Sequence, residues 1–462
     1  MRSSGLGGSP AGAGNASIAA RFERLPFTAY QRRIALILVS CFAIDAVDLA
    51  MLSYLLAPVS HDLGLSQAEA GLAASSVFAG VGIGATIAGI LCDTYGRRKI
   101  LVYTMYLWGV ASLLTAFAWD LTSFMTLRFI TGIGLGAEIP AAFALIAECM
   151  PASRRALITG WMQVGSAIAT VLFNIIALVA IHLIGEALGW RAMFVLMFLA
   201  AMFAIYVRRH ICESPRWLAS CGRDAEAARA MAAFESEVER AHGRPLPPPV
   251  ADVIADAPPV QGTLAKLFAP GQASRTLFAW ALWFAVMMGY YGITMWVGKL
   301  LVDRGMSIAD SIMIGIFISS AGIPAAWLTG SLMERLGRKL VIIAVLMFVS
   351  LAALAYGYAT SFAWIAATGA VMRFFMVALA TGLYAYTPEL FRTSTRATGL
   401  GTSSTMGRIS AVAGPMLVPV LVATWGYIGA FAAFAICFGI SALLVLLIGP
   451  ETRGKSVEDA TA

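Results

Sequence analysis

Long apolar runs separated by short polar turns set the pattern of this chain. Twelve runs of about membrane-spanning length can be counted. Six lie at about 33–59, 69–92, 100–119, 123–149, 156–183 and 191–207, and six at about 275–301, 309–333, 339–359, 363–388, 397–424 and 427–449. A helix of ~20 apolar residues crosses the ~30 Å hydrocarbon core and satisfies its own backbone donors there. The pattern predicts an all-α membrane protein with twelve transmembrane helices. One long polar stretch, Arg208 to Ala273, divides six spans from six. It holds a helical-looking segment, Asp224–Arg240, then Pro245-Leu246-Pro247-Pro248-Pro249, and reads as a linker rather than a folded domain. The expected organisation is an N-terminal cytoplasmic tail at 1–32, a six-helix bundle at 33–207, a cytoplasmic linker at 208–274, a second bundle at 275–449 and a cytoplasmic tail at 450–462. Met1 to Ala20, rich in Gly, Ser and Ala, lacks a basic-then-apolar signal pattern and reads as a disordered tail.

Composition sharpens the class. Hydrophobic residues make up 60% and charged residues 12%, where a soluble fold would carry about 25% charged. The formal net charge of +7 would fit a nucleic-acid partner, but the basic residues follow a membrane pattern. With both termini inside, 26 of the 32 Lys and Arg fall in inner segments. The positive-inside rule then places both termini in the cytoplasm. Six scattered cysteines have no metal-ligand spacing and none falls in an outer loop, so neither zinc nor disulfides are expected.

The two sets of spans repeat one another. Gly89-Ile-Leu91-Cys-Asp93-Thr-Tyr-Gly96-Arg97-Arg98-Lys99 recurs as Gly330-Ser-Leu332-Met-Glu334-Arg-Leu-Gly337-Arg338-Lys339, 241 residues on. The same displacement carries Glu148 onto Glu389, Arg155 onto Arg396 and Gly160 onto Gly401, and Arg128-Phe129 recurs nearby as Arg373-Phe374. Two homologous six-helix bundles are expected, the parallel-repeat architecture of a transporter with its site between the halves.

Ionisable residues inside the spans are the candidate chemistry. Asp45 and Asp48 share one face of the first span. Asp48 lies ~22 Å from Arg33 and ~17 Å from Val59 by helical rise, near the midplane. A charge there costs ~2.5–3.5 kcal/mol on insertion scales, so it faces a bundle interior or a cavity. The pair is either a structural contact or an ion or substrate site. Arg128 lies in the outer half of the fourth span. Burial disfavours a carboxylate's charge and a nearby cation favours it, so protonation can switch as an arginine approaches or withdraws. Glu138 follows Gly132, Gly134 and Gly136, which permit close helix packing, and is either a second protonatable group or a partner for another buried polar group. Arg408, ~17 Å from the inner end of the eleventh span, needs an anion. Its own span has none, so the partner is an acid across the cleft or a substrate carboxylate. Tyr290, Tyr291 and Trp296 of the seventh span either stack on a flat ring or fill the core, and Gln163 completes the candidate binding set. In the inner loops Asp93, Arg97, Arg98, Glu148 and Arg155 mirror Glu334, Arg338, Glu389 and Arg396. They are either topogenic charge or ion-pair latches that gate the inner side.

The two repeated inner-loop motifs, Gly89 to Lys99 and Gly330 to Lys339, together with Glu213-Ser214-Pro215-Arg216-Trp217-Leu218 after the sixth span and Pro450-Glu451-Thr452-Arg453-Gly454-Lys455 after the twelfth, resemble the major facilitator superfamily near its sugar-porter branch. The resemblance covers nearly the whole chain. Arg21-Phe-Glu-Arg24, Asp45-x-x-Asp48 and Arg128-Phe-Ile-Thr-Gly132-Ile-Gly134-Leu-Gly136-Ala-Glu138-Ile-Pro140 are similar to the bacterial niacin permeases. The acid pair, with Gly407-Arg408 before Gly414-Pro415, resembles the aromatic acid:proton symporters. The seventh span departs from sugar porters, carrying Trp280-Ala-Leu-Trp283 where they have paired glutamines, and Glu138 departs from the aromatic acid branch. In proton-coupled sugar porters the arginine matching Arg128 pairs with the acid matching Asp48.

The expectation is a monomeric inner-membrane proton symporter importing a small organic anion, a monocyclic aromatic carboxylate of the niacin or hydroxybenzoate kind. Asp48 carries the proton, Arg128 is its switching partner, Asp45 and Glu138 are auxiliary acids and Arg408 anchors the carboxylate. No cofactor, nucleic acid or enzymatic activity is expected. The competing classes are a sugar or polyol porter, a drug-exporting antiporter and a transporter-like sensor.

Overall fold

The computed structural model describes residues 18–248, 264–270, 272–391 and 395–452. Among these the secondary structure is helical throughout. The first half comprises α1 (Ala29–Asp62), α2 (Gln67–Tyr95), α3 (Arg97–Thr115), α4 (Leu121–Cys149), α5 (Ala152–Ile184) and α6 (Glu186–His210). The second comprises α7 (Ala273–Asp303), α8 (Ile308–Met333), α9 (Arg338–Tyr358) and α10 (Phe362–Tyr386), then one long helix, Arg396–Leu447. Gly426, at φ 70°, breaks that helix into α11 (396–425) and α12 (427–447). Among the described residues twelve membrane-length helices in two bundles result, as the apolar runs predict. Large apolar side chains such as Leu172, Leu183, Trp327 and Leu443 point outward, where lipid would meet them.

The repeat reaches into the helix ends. Ser66 and Glu69 form a capping box on α2, and Ser307 accepts the Asp310 N–H at the start of α8. Asp120 caps α4 through the Ser123 N–H, and Ser361 caps α10 through that of Trp364. Left-handed glycines follow the same 241-residue displacement: Gly96 (φ 102°) with Gly337 (φ 99°), and Gly185 (φ 82°) with Gly426. These turns need φ values that only glycine reaches without strain.

Glycine also brings α2 against α4. A Cβ on Gly132 would fall 2.0 Å from the Val77 carbonyl oxygen, and one on Gly80 2.0 Å from that of Phe129. This close approach fixes the rotation of α4, and so where its ionisable residues point.

The polar stretch between the halves is more than a connector. Helix Asp224–His242 carries Ala227, Met231, Phe234 and Val238 as an apolar stripe buried against the first half. Phe234 meets Phe22 and Tyr30 edge-on, each at 5.2 Å. Glu235 takes Arg24 at 2.7 Å and also pairs with Arg21. Burial works against the Glu235 charge, but the two arginines outweigh it and hold this carboxyl below the usual range. The disordered-tail expectation for Met1 to Ala20 lies outside the described residues up to residue 17. Beyond that point, Ile18–Glu23 is helical.

Candidate functional site

Two buried carboxyl centres sit side by side in the first half. Asp48 of α1 and Arg128 of α4 approach to 2.7 Å, both fully buried. Ser112 of α3 donates its hydroxyl to Asp48 Oδ2 at 3.0 Å. The guanidinium lies 5.3 Å from the centroid of the Phe194 ring. The short Nη1–Oδ1 contact lacks hydrogen-bond alignment, so the pair is coulombic rather than a bidentate fork.

One helical turn along α1, Asp45 meets Glu138 of α4. Trp108 of α3 donates its indole N–H to Glu138 Oε2 at 2.8 Å. No amide, hydroxyl or cationic donor reaches either Asp45 oxygen among the described residues. Its neighbour is the Glu138 carboxyl, so two buried acids face each other here. Gly134 lets Trp108 reach this position, since a Cβ there would fall 2.7 Å from the Trp108 Cβ.

Between the halves lies a small cavity, bordered by α1, α5, α7, α8 and α10. Its walls mix apolar side chains (Ile293, Ile318, Met372) with hydroxyls (Ser53, Thr170, Ser319), and Arg373 is the one cation lining it among the described residues. Helix contacts close the end remote from the termini. Tyr54 fits notches at Gly298 and Gly315 and donates to the Gly315 carbonyl at 3.4 Å. Gln67 donates to Asp303 at 3.1 Å, and Gly71 packs on Pro415 and Pro419.

The remaining candidates are placed apart from the cavity lining. Arg408 donates to the Val81 carbonyl of α2 at 3.3 Å and has no carboxylate partner among the described residues. Neither it nor Gln163 borders the cavity. Trp296 is fully buried and donates to the Pro415 carbonyl at 2.9 Å, a tie between α7 and α11 rather than an available stacking surface. Tyr290 meets Tyr291 edge-on at 5.2 Å and accepts a hydrogen bond from Arg373 at 3.2 Å.

The inner-loop charges pair within each half. Arg97 bridges Asp93 and Glu148, both at 3.0 Å, and Arg338 reaches Glu389 at 3.3 Å. Arg155 donates to the Met150 carbonyl. Arg98 offers its backbone N–H to Glu213. The side chains of Glu334 and Arg396 lie outside the described residues. Glu213 and Glu451, absent from the expected gating set, cap the starts of α3 and α9. Glu213 accepts the Arg98 N–H at 3.0 Å, while Glu451 accepts those of Arg338 and Lys339 at 3.0 and 3.1 Å. Their similar places after each half's last span were the available signal. Nothing in the local sequence singled out Ser112 or Trp108.

The sequence pattern of the Major Facilitator Superfamily matches residues 38–357 and 319–462, and the chain belongs to that superfamily. A niacin transporter of Acinetobacter baylyi is 30% identical over 96% of this chain and 99% of its own length. The 4-hydroxybenzoate transporter of Pseudomonas aeruginosa is 26% identical, covering 92% of this chain and 94% of its own. In fold, a D-xylose–proton symporter superposes with a TM-score of 0.73 at 17% identity, over 93% of this chain and 100% of that one. The inward-open xylose transporter of E. coli gives 0.70 at 17% identity, over 93% and 98%. These findings define a multi-pass membrane transporter.

Proposed function

We propose that this protein is a proton-coupled secondary transporter that imports a monocyclic aromatic carboxylate by alternating access. The observation that carries the coupling is the fully buried Asp48–Arg128 pair, whose carboxylate and cation come from different helices of one half. A proton added to Asp48 neutralises the carboxylate and leaves Arg128 charged, so the contact joining α1 to α4 weakens. The Asp45–Glu138 pair beside it is an auxiliary proton site. The relatives named for niacin and 4-hydroxybenzoate supply the substrate class. With both termini cytoplasmic, the closed end of the cavity is periplasmic and the arrangement faces inward. The unit is a monomer in the inner membrane. The inner-loop pairs of Arg97 and Arg338 would rearrange as that side closes.

Uptake of labelled nicotinate into proteoliposomes, with and without an imposed pH gradient, tests this reading. Asp48→Asn mimics the protonated acid, so it should exchange substrate in counterflow and fail to accumulate it. Full gradient-driven accumulation by this variant would remove Asp48 from the mechanism.

A further inference from the structure

The halves repeat in sequence, yet their ionisable residues do not match. The first half carries three carboxylates in the interior of its membrane helices, Asp45, Asp48 and Glu138, beside Arg128. At the same displacement of 241 residues those acids become Val286, Gly289 and Leu379. The second half keeps arginines, Arg373 and Arg408, and has no acid in the interior of any span. Arg373 lies 12 residues past the Ser361 cap, and Arg128 lies 8 past the Asp120 cap. Four residues are about one turn, so Arg373 lies on nearly the same helix face as Arg128 but ~6 Å deeper.

The surroundings of Arg373 are those of an incomplete ion pair. It borders the cavity between the halves. Its Nη1 donates to the Tyr290 hydroxyl at 3.2 Å, and the Tyr290 ring lies 5.7 Å from the guanidinium carbon. Its Nε is buried without a partner, and no carboxylate pairs with it among the described residues. A guanidinium stays charged at any accessible pH, and burying one without an anion is costly. Arg408 is the weaker candidate, because it already holds the Val81 carbonyl and stands away from the cavity lining.

We infer that Arg373 is the anchor for the substrate carboxylate, which completes in the second half the ion pair that Asp48 completes in the first. This deepens the transport reading above and rests on it for the substrate class. Tyr290 orients the guanidinium through its hydroxyl, leaving the Nε edge for one carboxylate oxygen. Ile293, Ile318 and Met372 supply apolar walls for a flat ring.

Equilibrium binding to the purified full chain, with nicotinate and its uncharged isostere nicotinamide as probes, tests the assignment. The wild type should prefer the acid. Arg373→Gln should lose roughly tenfold to a hundredfold in nicotinate affinity while changing nicotinamide little, so the preference collapses. Arg373→Lys should keep part of it, since charge remains and the fork is lost. Arg408→Gln should retain the preference. Retention by Arg373→Gln, or its loss only in Arg408→Gln, would overturn the anchor while leaving proton-coupled transport intact. Binding that discriminates as expected, without gradient-driven accumulation by the wild type, would sink the coupling and keep the anchor. If the wild type binds neither nicotinate nor benzoate, both fail.

Discussion

Asp48 and Arg128 show what one buried pair contributes and what it exposes to risk. Each is fully buried, and removing one partner strands the other charge in a medium that cannot solvate it. Arg128→Ala is therefore expected to destabilise the protein by about 3–5 kcal/mol. Asp48→Asn combined with Arg128→Gln should cost less than the sum of the two single changes, because neither charge is then left alone. Thermal unfolding in detergent measures both effects. A simple sum would mean that the two residues do not interact. Arg373→Gln, which strands no acid, should leave the midpoint nearly unmoved. The membrane-depth charges were legible as a group, since any ionisable residue inside a span stands out. Their partners were not: Ser112 and Trp108 are ordinary residues until folding brings them to Asp48 and Glu138.

At the scale of elements, the contact between α2 and α4 decides where those charges meet. Gly132, Gly136, Gly80 and Gly84 let the two backbones approach, and a side chain on any of them would collide with a carbonyl. Gly80→Leu should cost at least ~1–3 kcal/mol through overpacking and lower the yield of monodisperse protein. Gly82→Leu, on the same helix with open space beside it, should stay within ~0.5 kcal/mol. Equal losses from both would mean that close packing is not what the α2 glycines serve. The glycine series in α4 was readable as a packing signal. Its division, with Gly132 and Gly136 facing α2 and Gly134 facing α3, required the assembled bundle. The linker helix was likewise visible as a helix, while its docking through Phe234 and Glu235 depends on residues more than 200 positions away.

For the whole molecule, duplication followed by divergence leaves a division of labour. Among the described residues the membrane-depth acids lie in one half and two membrane-depth arginines without a carboxylate partner in the other, and the cavity between the halves is closed at one end by Tyr54 and the Gln67–Asp303 contact. The sidedness of that closure is testable. A reporter fused after Gly454 should read cytoplasm and one inserted near Asp303 periplasm, because 26 of 32 basic residues lie on the terminal side. The reverse result would turn the arrangement from inward-facing to outward-facing and invert the direction proposed for import.

Length and composition alone determined the twelve spans, because a backbone in lipid must satisfy its own hydrogen bonds and only long apolar helices do so. The 241-residue repeat determined the two-fold architecture, down to matched caps and left-handed glycines. Only the tertiary structure decided which arginine borders the cavity. The expectation had chosen Arg408, whereas Arg373 lines the space and Arg408 is held by Val81. A span that is apolar on nearly every side carries no periodic signal for its own rotation. The facing of each helix is set by its neighbours, through glycine notches and side-chain packing that no single segment contains.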